Sequence, residues 1–113
     1  MSSKRTDKDL LGDILDAVEQ CQRYAQGYSF QQFIDDRKTQ DAIVRNLEIM
    51  GEAAKHISSA LKNQHPEIPW RPLAGVRDRV AHDYFGINYE IIWGILTQEL
   101  PSLKADLQRL LKI

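Results

Sequence analysis

An antiparallel bundle of four substantial α-helices and one short one is the fold this sequence predicts. Three observations carry the prediction: apolar residues recur at three- and four-residue spacing through every long segment, no segment sustains two-residue alternation, and the breaks fall at glycine, proline and capping residues. With 113 residues, 42% hydrophobic and 27% charged, the chain has the composition of a single globular domain spanning residues 1–113 around one core.

The first helix opens with Thr6 and Asp9 at capping-box spacing. Leu10, Leu11, Ile14, Leu15, Val18, Cys21 and Ala25 then trace an apolar stripe that stops at Gly27. Ser29 and Gln32 repeat the capping signal, so a short helix from Phe30 to Asp35 is expected to turn Phe30, Phe33 and Ile34 inward. Asp36 or Thr39 caps the next, longer helix, in which Ile43, Val44, Leu47, Met50, Ala54, Ile57 and Leu61 share a face to an end near Asn63. Gly51 inside it costs around 1 kcal/mol relative to alanine, and close helix packing is its expected role. Three prolines between Pro66 and Pro72 make a loop, because proline supplies no donor and pushes the preceding residue toward extended geometry. Pro72 suits the first position of a new helix striped by Leu73, Val76, Val80 and Tyr84 and ended by Gly86. Asn88 caps a last helix from Tyr89 to Leu111, bent at Pro101.

Several function classes are made improbable by composition. No run approaches the roughly 18 to 20 apolar residues that cross a bilayer, and the first residues lack the apolar core of a signal peptide, so a cytoplasmic location without membrane attachment is expected. The one cysteine, Cys21, agrees with a reducing compartment, and its place on the face of Leu10 and Ile14 predicts buried packing. A formal charge of −1 argues against coating nucleic acid by bulk electrostatics. Positive charge is local: three arginines stand against one aspartate between Arg71 and His82.

Within that stretch, Arg77, His82 and Tyr84 carry the groups most suited to phosphate chemistry. A guanidinium holds phosphate oxygens through a planar fork of donors, an imidazole exchanges a proton near neutrality, and a phenol can be modified. In a regular helix, however, Arg77 and His82 lie about 140° apart. Either the helix ends near His82 and frees that side chain to swing back, or the groups come from two copies of the chain. In-line cleavage of RNA needs a base at the 2′-hydroxyl and an acid at the leaving 5′-oxygen. A twofold dimer that abuts two motifs supplies two histidines and two arginines, and no metal is required; from spacing alone, a purely structural role for the same residues stays open.

Elsewhere, Glu52 and His56 have the spacing of two metal ligands, but nothing completes a site and none is expected. His65 stands in the proline-rich loop without an obvious companion. Trp70 and Trp93 adjoin apolar neighbours and are read as packing anchors rather than base-stacking platforms. There is no Gly-rich phosphate loop, Cys-x-x-Cys pair or Gly-x-Ser-x-Gly elbow.

Arg77-x4-His82-x-Tyr84 resembles the signature of the HepT toxins in the HEPN superfamily of helical RNases, and Asp78 satisfies the polar position after the arginine. The segments Arg45 to Ala54, His65 to Arg71, Asp83 to Gly86, Ile91 to Trp93 and Leu100-Pro101 are similar to the family's characteristic stretches, so the likeness covers roughly residues 40 to 104. The resemblance implies an HEPN-like, homodimeric, metal-independent endoribonuclease toxin needing no cofactor. Arg77 would bind the scissile phosphate and His82 transfer protons. Asp78 is a candidate to orient either of them, Arg45 to approach from the long helix, and Arg71 and Arg79 to guide the RNA backbone or pair with acidic groups. The implied partner is an MntA-like nucleotidyltransferase antitoxin, which takes ATP as its own cosubstrate and transfers AMP to the motif tyrosine, here Tyr84. The added charge and bulk would repel RNA. Competing readings are a catalytically silent helical module that docks a nucleotidyltransferase, and a metal enzyme built on Glu52 and His56.

Overall fold

In the computed structural model, residues 5–82 and 86–113 are described, His82 in its backbone. The described chain is all-α apart from one minimal ladder. Helices α1 (Asp7–Ala25), α2 (Phe30–Ile34), α3 (Arg37–His56), α4 (Ser59–Gln64), α5 (Trp70–Ala74) and α6 (Val76–Val80) lead into strands β1 (Ala81–His82) and β2 (Gly86–Ile87). Helix α7 (Tyr89–Gly94), a π-helical turn (Ile95–Glu99) and α8 (Leu100–Leu111) complete the chain.

The local signals set the helix starts. Thr6 and Asp9 form the capping box of α1, and Ser29 and Gln32 that of α2. The Asn88 side chain accepts from the Ile91 N–H at the start of α7. Asp36, rather than Thr39, caps α3 through its bond from the Thr39 N–H at 3.1 Å. Its carboxylate also accepts the Tyr28 hydroxyl at 2.6 Å and the Thr39 hydroxyl at 2.7 Å. These donors, Tyr28 first, stabilise the charged form and hold the Asp36 pKa down at about 2. A carboxylate whose folded pKa lies below its unfolded value of about 3.9 contributes stability above pH 4, and loses it as the pH falls toward 2. Tyr28→Phe is therefore expected to move acid unfolding to higher pH, as followed by circular dichroism; an unchanged acid midpoint would contradict the assignment.

α1 lies along α3 and α8, while α3 also supports α5 and α6. Ile14, Val18, Ile43, Leu47, Met50, Ile92 and Leu107 are buried where these faces meet. Cys21 is buried among them, its thiol pointing at the Ile43 carbonyl and pushed up to about 12 by burial, which agrees with a packing role. Trp93 packs against Phe30 and Phe33 at ring separations of 6.0 and 5.5 Å. Trp70 is buried and donates its indole N–H to the His65 carbonyl at 2.9 Å. Both tryptophans are thus core anchors.

Four boundaries differ from the sequence expectation. α3 ends at His56 instead of near Asn63, because Ser58 turns the chain. Its side chain caps α4 at Leu61, and its N–H and hydroxyl both donate to Asp7, at 2.9 and 2.5 Å. Ile57 and Leu61 kept the apolar period across this break, so periodicity alone could not reveal it. Second, helix resumes at Trp70 with Pro72 at its third position, still in the first turn where a missing N–H costs nothing. Third, that helix is interrupted at Gly75 and leaves the helical conformation after Val80, not near Gly86. Ala81 pairs with Ile87 and His82 with Gly86 in an antiparallel register. Last, the Pro101 region widens where a bend was expected. A proline cannot donate to the carbonyl four residues back and its ring crowds that carbonyl; just before it, the Leu100 N–H reaches five residues back to Ile95, giving the π turn.

Candidate active site

The site is built where α6 crosses α3. Gly51, buried in α3, lets them approach. A side-chain carbon there would stand 3.0 Å from Val76 Cγ1, 3.1 Å from the Leu73 carbonyl oxygen and 3.4 Å from that of Ala74, two of these closer than ordinary van der Waals contact. The close-packing role expected of Gly51 is met at this crossing.

Arg77 projects from α6 with its side chain 83% exposed, and among the described residues its acidic partner is Glu48 on α3, 3.9 Å from Nε. Such an exposed, long contact is worth at most about 1 kcal/mol, so the guanidinium fork can turn toward a phosphate at little cost. One cleft at Arg77, of about 220 Å³, is lined by Arg45, Glu48, Glu52 and Lys55. A second cleft, of about 190 Å³, is lined by Val44, Leu47, Val80, Ala81, Gly86 and Ile87. Arg77 and Glu48 border both. The second cleft reaches Ala81, the residue before His82.

Because α6 ends at Val80, the helical angle no longer separates Arg77 from His82, as the first of the two arrangements requires. The angle of 100° per residue no longer governs His82 once Ala81 is extended, at φ −71° and ψ 138°. Arg77 and the backbone of His82 thus lie on successive elements of one short stretch. Tyr84 lies outside the described residues. Asp78 is exposed on α6, and His82, which helical spacing would have stacked above it, belongs to the strand.

The two flanking arginines differ from Arg77. Arg71 is exposed on α5. Arg79 is engaged by both carboxylate oxygens of Glu99, at 3.0 and 2.6 Å, with its side chain 33% exposed. That paired carboxylate raises the guanidinium pKa above its already high ordinary value. Of the two expectations for Arg79, it is the pairing with an acidic group that is seen. Arg45 does approach the motif from the long helix, as a wall of the larger cleft. Glu52 and His56 contact each other at 3.4 Å, and Glu52 also faces Lys55 at 3.8 Å. Among the described residues no three His, Cys, Asp or Glu side chains gather as metal ligands, and no helix is long and apolar enough to cross a membrane.

Glu48 and Glu99 are the acidic partners that sequence reasoning did not reach. They stand 29 positions before Arg77 and 20 after Arg79, and no local motif links those distances.

Comparison with known proteins identifies the family. The family description "Ribonuclease HepT-like" matches residues 14–110. A protein named "Probable ribonuclease HepT" from Thermococcus cleftensis is 43% identical over 109 residues, 96% of this chain and 99% of that protein. Proteins named "Putative RNase" in Methanocaldococcus jannaschii and Caldanaerobacter subterraneus subsp. tengcongensis are each 37% identical, over 109 and 108 residues, covering 96% of this chain and 90% and 96% of theirs. No solved structure matches. With a family match over nearly all of the chain and full-length relatives above 30% identity, the chain belongs to the ribonuclease HepT-like family of the HEPN superfamily.

Proposed function

We propose that this member of an RNase family is a metal-independent endoribonuclease toxin of a toxin–antitoxin pair, using Arg77 and His82 for cleavage and Tyr84 as its off switch. The observation that carries the reading is the exposed Arg77 guanidinium bordering two clefts, three residues before the end of its helix and close to the strand of His82. In the proposed reaction the 2′-oxygen attacks phosphorus, forming the 2′-O–P bond as the P–O5′ bond breaks. One histidine takes the 2′-hydroxyl proton and another protonates the leaving 5′-oxygen. Arg77 donates hydrogen bonds to the phosphoryl oxygens as their charge builds. Since each chain supplies one motif histidine, the two proton transfers call for a homodimer that joins two motifs.

Regulation acts through the same stretch. An MntA-like nucleotidyltransferase would transfer AMP from ATP to the Tyr84 phenol oxygen, releasing pyrophosphate and placing negative charge beside the phosphate site. An RNA substrate and a single, buried cysteine fit action in the cytoplasm.

Purified, unmodified protein is expected to cleave RNA in the presence of a chelator. Activity lost on adding the chelator would refute metal independence, and folded protein without activity would favour a binding module. Intact mass after incubation with the nucleotidyltransferase and ATP should show added AMP that Tyr84→Phe abolishes. An adduct that survives in Tyr84→Phe would place the acceptor elsewhere.

A further inference from the structure

Resting on the RNase reading, we infer that Arg79 and Glu99 are positioning residues: they clasp the motif helix to the π turn and thereby aim Arg77, and Arg79 itself does not touch RNA. α6 has five residues and no side-chain N-cap, comes after the interruption at Gly75 and gives way to extended chain at Ala81. An isolated helix of one turn does not sustain itself, because nucleation costs more than its few hydrogen bonds return. Its orientation must therefore come from tertiary contacts. Val76 and Val80 supply a buried edge, which holds one face of the helix through non-directional contacts. The bidentate Arg79–Glu99 pair, at 3.0 and 2.6 Å, supplies direction.

Helical geometry connects this clasp to the site. Residues two apart on a helix differ by about 200° around the axis, so fixing Arg79 toward Glu99 sends Arg77 to the opposite side, where it borders the two clefts described above. Exposure shows the same division, at 33% for the Arg79 side chain and 83% for Arg77. Glu99 closes the π turn, and such a turn carries an extra residue that rotates the next part of the helix by about 100°. The aim of Glu99 is thus set by the same wide turn that precedes Pro101.

Two substitutions of opposite charge effect separate the clasp from RNA contact. As a clasp, Arg79→Ala and Glu99→Gln should each lower kcat about tenfold, since misplacement by about 1 Å can cost up to about 10²-fold, with KM little changed. The exchanged pair, Arg79→Glu with Glu99→Arg, should recover part of the rate. RNA binding, measured in a His82→Ala background to prevent cleavage, should keep its salt dependence. A phosphate contact would instead make Arg79→Ala reduce the log–log salt slope by about one while Glu99→Gln left activity intact, and that result would overturn the inference. Amide exchange at Asp78 and Arg79, whose N–H groups bond the Gly75 carbonyl, supplies a readout independent of catalysis. Faster exchange in both variants supports the clasp, and unchanged exchange in both refutes it. Should folded wild-type protein fail to cleave RNA, the RNase reading falls while the exchange result still decides the clasp.

Discussion

Arg77→Ala is expected to lower RNA cleavage by about 10²- to 10³-fold, the scale for removing one preorganised donor from a developing oxyanion, while leaving the fold intact. The second half of this expectation comes from exposure. With 83% of the side chain in solvent and the described carboxylate of Glu48 no closer than 3.9 Å, Arg77 contributes little to stability, and an exposed substitution of this kind changes folding free energy by no more than about 1 kcal/mol. A catalytic loss without a change in the denaturation midpoint is then the signature of a site residue. Arg77→Lys should fall between wild type and alanine, because the ammonium keeps the charge but not the planar fork. His82→Ala should cost about 10²- to 10⁴-fold through lost proton transfer. Measured kcat/KM on one RNA substrate, beside urea unfolding of each variant, checks the set. Cleavage unchanged by both alanine substitutions would remove catalysis from this motif.

The second large effect is on stability. Replacing Gly51 by alanine improves the intrinsic helix propensity of α3 by about 1 kcal/mol, so an uncrowded site would be stabilised. Here the new methyl would meet Val76 Cγ1 at 3.0 Å and the Leu73 carbonyl oxygen at 3.1 Å. One neighbour is backbone and cannot rotate away. Overpacking of this kind costs about 1–3 kcal/mol, which outweighs the propensity gain, and a net loss of about 1 kcal/mol is expected for Gly51→Ala. Gly51→Leu should lose several kcal/mol, since its extra carbons have no space between α3 and α6. Urea midpoints order the series. Greater stability in Gly51→Ala would mean that α6 can retreat without penalty. Because the strained neighbours belong to α5 and α6, any retreat also displaces Arg77, so activity should fall further than stability alone explains.

The legibility of this chain in its sequence varied with the range of the interaction involved. Thr6, Ser29 and Asn88 announced helix starts correctly because an N-cap bonds a backbone N–H three residues away. For α3 the sequence left Asp36 and Thr39 as alternatives, and Thr39 proved to be a donor to the Asp36 carboxylate. The end of α3 was misjudged for the opposite reason: the apolar period runs unbroken through Ile57 and Leu61, whereas the break is held by Asp7, 51 residues earlier. The motif helix was overextended through Tyr84 because Val76 and Val80 set a helical stripe, while the ladder of Ala81 with Ile87 and His82 with Gly86 is too short to show any alternation.

By itself, the sequence determined the helical class, the helix starts at Thr6, Ser29 and Asn88, the packing roles of Cys21 and the tryptophans, and the group of residues that carries the family signature. Each rests on periodicity, capping or residue type within a few positions, where geometry depends on a single helical turn. Tertiary structure alone decided that α6 stops at Val80, that Arg79 belongs to Glu99, and that Arg77 stands exposed beside Glu48, bordering two clefts. Which of two arginines on one short helix is committed and which is available depends on carboxylates 20 and 29 positions away. No local pattern encodes such partners, because they are chosen by how the packed helices bring distant residues within reach.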